Sequence, residues 1–199
     1  YPWYSAPPRT SGYGHWDGGG ARVPPNDIAA SAYPLMGPYD SYNSSVLQWH
    51  MFWMASAKVD VVVISWWGRG SSEDSLTNAV LNAASAVGLK CCFHIEPYGG
   101  RTPASVKQDV RYLYQTYGSH PAFYRAVRPT MVSLNASPRG VFFVFDPAGS
   151  GWPEMIDSLR GTADDAILLL RVNDALMMTD AGSRQLLAAS HADGLFNYG

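Results

Sequence analysis

The sequence predicts an α/β fold of the (β/α)8 TIM-barrel type, incomplete, with about six of the eight strands such a barrel needs. Three observations predict it. Nearly all-apolar, β-branched runs such as Val59-Asp60-Val61-Val62-Val63-Ile64-Ser65 read as strands buried on both faces, as in parallel sheets. Helical patterns alternate with these runs, which implies parallel strands joined by right-handed crossovers. Polar and aromatic residues then gather at the C-terminal ends of the runs, where an α/β barrel builds its site. No glycine fingerprint of dinucleotide binding follows the first strand, which argues against a Rossmann domain.

Taken in order, Tyr1-Pro2-Trp3-Tyr4 reads as the end of a first strand rather than as a natural N-terminus. Residues 5–42 are rich in Gly and Pro, including Gly18-Gly19-Gly20 and Pro24-Pro25. They are expected to form a long irregular loop, a kind of segment that is usually functional inside a compact domain. Leu47, Met51 and Met54 stand at helical spacing and predict a helix over 43–57. The run 59–65 is a strand, 74–87 a helix and 89–95 the next strand. A helix over 103–117 opens at Pro103, which suits a first turn, and stops at Gly118. Val141-Phe142-Phe143-Val144-Phe145 is a strand, followed by a helix at 153–160, a strand at 166–172, a helix at 180–190 and a strand at 194–198. Five strands and the opening stub fall short of a closed barrel, so residues 1–199 are read as one partial barrel domain.

Composition narrows the function classes. The chain is 47% hydrophobic and 15% charged, a globular balance with apolar surface for a sizeable core. Net charge is −2 and no basic stripe exists, so nucleic acid is not an expected partner. No apolar run is long enough to span a membrane. Seven Trp and twelve Tyr supply the mixture of apolar body and polar tip that matches a sugar, with its C–H faces edged by hydroxyls. Cys91 and Cys92 are adjacent within a strand, so they point to opposite faces and are expected to be buried thiols rather than a disulfide. No metal-ligand spacing surrounds them, and neither a metal nor a cofactor is expected.

The densest chemistry lies at Phe93-His94-Ile95-Glu96-Pro97-Tyr98-Gly99-Gly100-Arg101. On a period of two, His94, Glu96 and Tyr98 share one face while Phe93 and Ile95 point the other way. Other strand ends add Tyr1 to Tyr4, Ser65-Trp66-Trp67, Phe145-Asp146 and Asn197-Tyr198 to the same end of the sheet. Glu96 and Asp146 would end adjacent strands, which allows a carboxylate pair about 5 Å apart, the spacing of a retaining glycosidase; either could instead orient a neighbouring His or Arg. Arg101 is placed either to pair with Glu96 or to cap its loop. His120-Pro121-Ala122-Phe123-Tyr124-Arg125 follows a helix and reads as structural. Asn43-Ser44-Ser45 and Asn135-Ala136-Ser137 fit the N-glycosylation pattern, although Pro138 makes the second a poor acceptor.

These residues, in this order, resemble glycoside hydrolase family 99, the endo-α-1,2-mannosidases and endomannanases. The matching pieces are Tyr1-Pro2-Trp3-Tyr4, His15-Trp16, Tyr33-Pro34, Gly37-Pro38-Tyr39-Asp40-Ser41 and Ser65-Trp66-Trp67. His94-Ile95-Glu96-Pro97-Tyr98 with Arg101, Tyr117-Gly118, His120-Pro121-Ala122-Phe123-Tyr124 and Asp193-Gly194-Leu195-Phe196-Asn197-Tyr198 follow, so the resemblance covers essentially the whole chain. It implies a (β/α)8 barrel that cleaves internal α-mannosidic bonds in mannose-rich glycans with retention and without a metal. It implies a setting in the secretory-pathway lumen (Golgi) or outside the cell. It implies that Trp67 packs on the sugar one site beyond the reacting mannose, and that the opening Tyr1-Pro2-Trp3-Tyr4 segment, His94, Tyr98 and Tyr198 line the reacting-sugar pocket. With Trp66, Glu96 and Arg101 these make the expected substrate-binding set.

The chain also departs from the family. The resemblance implies two catalytic glutamates in a Glu-Trp-His-Glu type segment on a later strand, yet no Glu occurs here after Glu154. Phe143, Phe145 and Phe196 stand where the family tends to have Tyr, which removes hydroxyls near the pocket. Two expectations follow: a piece of a longer endomannosidase lacking its catalytic segment, or an inactive structural or glycan-binding subunit whose barrel a protein partner completes. Glu96 and Asp146 are the weaker candidates for a self-sufficient catalytic pair.

Overall fold

A computed structural model describes residues 2–128, 137–147, 149–172 and 179–197. Its elements run α1 (Ser44–Ser56), β1 (Val61–Trp66), α2 (Ser72–Ala86), β2 (Lys90–Ile95), α3 (Pro103–Tyr117), β3 (Arg125–Ala126), β4 (Arg139–Val144), α4 (Trp152–Leu159), β5 (Ala166–Arg171), α5 (Asp180–Ser190) and β6 (Gly194–Phe196). The sheet order is β1-β2-β4-β5-β6, each neighbouring pair parallel. This is the α/β architecture with a parallel main sheet that the sequence predicts.

The helix termini follow from local chemistry. Asn43 caps α1 through its side chain, which accepts from the Ser45 and Val46 N–H groups. Thr102 and Ser105 form a reciprocal capping box ahead of Pro103, satisfying donors that the first helical turn leaves without partners. Alternation along the strands then sorts side chains into two layers. Val62, Ile64, Trp66, Cys91, Phe93, Ile95, Phe142, Val144, Leu168 and Leu170 face the helices and form the main core. Cys92, Val141 and Ile167 lie on the opposite, inner face with Val61, Phe143 and Leu169. Both cysteines are free and buried, and burial pushes each thiol up to about 12. Both are inert packing residues.

Two expectations are corrected. Pro2–Tyr4 does not form a strand: Tyr4 exchanges hydrogen bonds with Ser41 of the loop instead of joining β1. A two-residue strand that the sequence reading lacks, β3, pairs antiparallel with the start of β4. Just before it, Cys91 N–H donates to Ala122 O and Tyr124 N–H to Cys91 O, each at 2.7 Å. Residues 122–126 therefore wedge between β2 and β4 at their N-terminal ends, and those strands pair directly only from Phe93 to Ile95.

Residues 5–42 contain no helix or strand, as expected, yet they are packed. Trp16 is buried, stacks on Tyr4 with ring centroids 3.9 Å apart, and donates its indole N–H to Tyr39 O at 2.8 Å. Arg9 and Asp40 close the loop base with two hydrogen bonds.

At the N-terminal ends of β5 and β6 sits a buried ionic network. Arg128 donates to Asp193 at 2.6 Å and to Asp165 at 2.7 Å, and Arg160 donates to the other Asp193 oxygen at 2.9 Å. Asp193 also accepts the Leu168 N–H at 2.9 Å, tying the start of β6 to the middle of β5. Removing one partner of such a network strands the remaining buried charges. Asp193→Ala is expected to lower unfolding stability by about 3–5 kcal/mol in urea denaturation followed by circular dichroism.

Candidate functional site

Above the inner layer, at the C-terminal ends of the strands, lies a cavity of about 480 Å³ lined by Trp3, Val63, Ser65, His94, Glu96, Phe143, Phe145 and Phe196. Strand register builds it. Ser65 is the Cα partner of His94, and His94 is the partner of Phe143, so one inward layer crosses three strands. Two residues on from His94, just past the end of β2, comes Glu96, inward by the same alternation.

Glu96 carries the electrostatics. Its Oε1 accepts the Ser65 hydroxyl at 2.6 Å and lies 3.2 Å from His94 Nδ1. Ser65 in turn accepts the Trp3 indole N–H at 3.1 Å. Burial pulls the Glu96 pKa up, but the bonds from His94 and Ser65 outweigh it, and the net shift is below the ordinary carboxylate value. Glu96 is thus an ionised acceptor at neutral pH and holds no proton to donate. The rest of the wall is aromatic: Phe143 and Phe196 meet edge to face at 5.1 Å, and His94 meets Phe145 at 5.7 Å and Phe196 at 5.6 Å. One fixed negative charge among apolar faces suits a ligand with both hydroxyl donors and C–H surfaces. Among the described residues no cluster of three or more His, Cys, Asp or Glu groups could hold a metal.

Residues 1–198 match the sequence profile of glycosyl hydrolase family 99. The chain belongs to that family. It is 34% identical to a glycoprotein endo-alpha-1,2-mannosidase-like protein of Danio rerio, over the whole of this chain and 49% of that protein. It is 30% identical to a glycoprotein endo-alpha-1,2-mannosidase of Mus musculus, over the whole of this chain and 47% of that protein. A solved family 99 endo-alpha-mannosidase of Bacteroides thetaiotaomicron, in complex with bis-tris propane, superposes with a TM-score of 0.77 at 27% identity, covering all of this chain and 57% of that one. The chain spans about half the length of the curated relatives it matches.

Of the expected site residues, the structure brings His94 and Glu96 into the cavity. Tyr1 and Tyr198 lie outside the described residues. Trp66 is fully buried on the helix side, where its indole N–H donates to Asp74 at 2.9 Å; alternation puts Ser65 inward and therefore Trp66 outward. Trp67 is 39% exposed just beyond the end of β1 and does not line the cavity. Tyr98 leaves the shared face because β2 ends at Ile95 and the chain turns at Pro97, with Tyr98 N–H donating to Glu96 O. Its hydroxyl bonds Asp109 at 2.5 Å and Ser105 at 3.0 Å on α3, away from the cavity. Arg101 caps its loop, donating to Ile95 O at 3.1 Å and Asp146 O at 2.5 Å. Tyr4 stacks on Trp16 and lines a separate cleft with His15 and Arg9.

Asp146 does not join Glu96. The strands are adjacent, but the register sets Phe145 beside Glu96; Asp146, one residue on at φ 39°, is exposed. Trp3, from the opening Tyr1-Pro2-Trp3-Tyr4 segment that the resemblance places at the pocket, is a wall residue. Val63 was the missed wall residue, and the period of two along β1 carries it, since Val63 shares the face of Ser65.

Two measurements check these electrostatics. Ser65→Ala removes a bond that favours the carboxylate, so the Glu96 pKa is expected to rise in a carboxyl-carbon NMR titration. Asp109 is pushed up to about 6, by burial first and by nearby Asp74, against the lowering effects of Tyr98 and Arg101. The folded state therefore binds this proton more tightly than the unfolded chain. The resulting stability is full below about pH 4 and is lost as pH rises towards 6, a span of about 2–3 kcal/mol. Asp109→Asn is expected to flatten that slope in thermal melts recorded from pH 4 to 7.

Proposed function

We propose that this chain forms the glycan-binding half of a retaining endo-α-1,2-mannosidase acting on mannose-rich glycans, with the catalytic glutamates supplied by a segment outside these residues. The observation that carries the reading is the single ionised carboxylate in an aromatic cavity at the barrel-top position, in a chain of this family. Retaining hydrolysis takes two carboxyl groups about 5–5.5 Å apart, one of them able to give a proton. The sequence holds three glutamates, Glu73, Glu96 and Glu154. Glu73 lies in the first turn of α2 and Glu154 in that of α4, which leaves Glu96 as the cavity's carboxylate among the described residues.

In this reading Glu96 accepts hydroxyl hydrogen bonds from the reacting mannose, and its fixed charge favours the positive character that the sugar ring gains in the transition state. His94 and Ser65 hold it ionised and oriented. Trp3, Phe143, Phe145 and Phe196 cover the sugar's C–H faces and exclude water.

The inner face of the sheet supports a further segment that completes the barrel. Val63 is 39% exposed, and with Cys92, Val141, Ile167 and Leu169 it lines an apolar depression of about 350 Å³. Among the described residues β1 pairs only with β2 and β6 only with β5. On α1, Trp49 and Phe52 are about half exposed and pack against each other at 5.8 Å. Open strand edges and contiguous bare apolar surface are normally covered.

A second reading, an inactive glycan-binding subunit completed by a protein partner, is favoured by the three phenylalanines of the wall, which offer no hydroxyl to a sugar. Intact protein is expected to hydrolyse an α-1,2-linked mannan with retention, monitored by NMR of the released anomer, and Glu96→Gln is expected to lower kcat about a hundred-fold. Mannoside binding without turnover supports the subunit reading. Neither binding nor turnover overturns both.

A further inference from the structure

Ser65 stands between two groups, and their chemistry fixes which way its proton points. The Trp3 indole N–H can only donate, and it donates to Ser65 Oγ at 3.1 Å. An ionised carboxylate can only accept, and Glu96 Oε1 accepts the Ser65 hydroxyl at 2.6 Å. With the indole on its acceptor side, the hydroxyl keeps its proton on the carboxylate. Trp3 is itself held from outside the sheet. Its ring stacks on His15 with centroids 5.7 Å apart. The next residue, Tyr4, donates its N–H to Ser41 Oγ at 3.0 Å, accepts the Ser41 N–H at 2.9 Å, and stacks on the buried Trp16. Residues 2–4 therefore join the long loop 5–42 to the cavity, although they add no strand to the sheet.

We propose that Trp3 is a positioning residue for Glu96, acting through Ser65, and that it carries the order of the loop 5–42 to the carboxylate. The donor chain Trp3–Ser65–Glu96 crosses from the loop to β1 and on to the end of β2, so one indole N–H joins three parts of the chain that are distant in sequence. A donor already aimed at the carboxylate costs no reorganisation when charge has to be held in a site that excludes water. That the carboxylate held this way meets a mannose hydroxyl rests on the reading above; the positioning itself does not. Among the described residues, the other charged or titratable groups acting on Glu96 are His94, with Nδ1 3.2 Å from Oε1, and Arg101, fixed on Ile95 O and Asp146 O.

The test follows the Glu96 side-chain carboxyl carbon by NMR through a pH titration of the intact protein, with the fold of each variant checked by circular dichroism. Trp3→Phe keeps an aromatic ring at the wall and deletes the N–H. Ser65 can then turn its proton away, so Glu96 is expected to bind its proton about three-fold more tightly than in the wild type. A ring that merely filled space would give the opposite sign, because a smaller one admits water and relieves the desolvation that favours the neutral acid. Ser65→Ala is expected to raise the proton affinity about ten-fold. Adding Trp3→Phe to it is expected to change nothing further, since the relay is already broken. If Trp3→Phe does not fold, the wild-type Trp3 indole N–H resonance replaces it: it is expected to follow the Glu96 titration and to lose that inflection in Ser65→Ala. Weaker or unchanged proton binding in Trp3→Phe, an equal effect of Trp3→Phe in both backgrounds, or an indole resonance blind to Glu96 overturns the positioning role and leaves the mannose reading standing. Titrating methyl α-mannoside into the same samples tests that reading separately: an intact relay without mannoside binding overturns the mannose reading alone.

Discussion

An ionised carboxylate can stand in an apolar cavity only where donors meet it, and here the pairing of two parallel strands supplies them. Ser65 and His94 are register partners on β1 and β2, and both reach Glu96 two residues beyond. A slip of one residue in that register would carry Ser65 into the helix layer and cost Glu96 its hydroxyl donor. The cost would fall on the charge, since desolvation already pulls its pKa upward. The Ser65–His94–Glu96 contact therefore does two things. It specifies the strand pairing, and it fixes the sign of the charge that a ligand meets.

On the other side of the same strands, a second set of polar groups serves a mechanical purpose. Asp74 gathers Trp66, Gly70, Tyr112 and Tyr117, and Asp109 receives Tyr98. These bonds connect α2 and α3 to the two loops that follow β1 and β2. Arg101 completes the arrangement by bridging the end of β2 to the chain after β4. The loops that carry exposed chemistry are thus pinned from behind by buried aspartates, while residues in front remain available to ligand. At the opposite end, Arg128, Asp165 and Asp193 bind the strand starts together and take no part in the cavity. Function and stability are separated along the strand axis, as in α/β barrels generally.

The bare inner face and the exposed aromatic face of α1 have a common physical meaning. A sheet whose strands read as buried on both sides is normally covered on both sides, and among the described residues the helices cover only one. Val63 and Phe143 belong to both the cavity and the apolar depression beside it, so whatever covers the inner layer also forms a wall of the site. On the proposed reading, completion of the barrel and completion of the site are one event.

Periodicity by itself determined the element order: the helices at 103–117 and 180–190 coincide with the predicted spans because Pro103, Thr102 and Thr179 supply local start signals. It also determined that His94 and Glu96 face the same way and that Cys91 and Cys92 do not. The family was legible because short motifs keep their residues whatever the packing around them. Other features were decided only in three dimensions. Residues 2–4 pair with the loop rather than the sheet, and β3 is too short to carry a periodic signal. Asp146 turns out of register after Phe145, and Tyr98 leaves the cavity face once Pro97 bends the chain. Each depends on which group from a distant part of the chain arrives to accept or donate a hydrogen bond, and alternation along one strand holds no information about that. Sequence determined which residues could meet; the tertiary structure decided which ones do, because a buried polar group goes where its partner is.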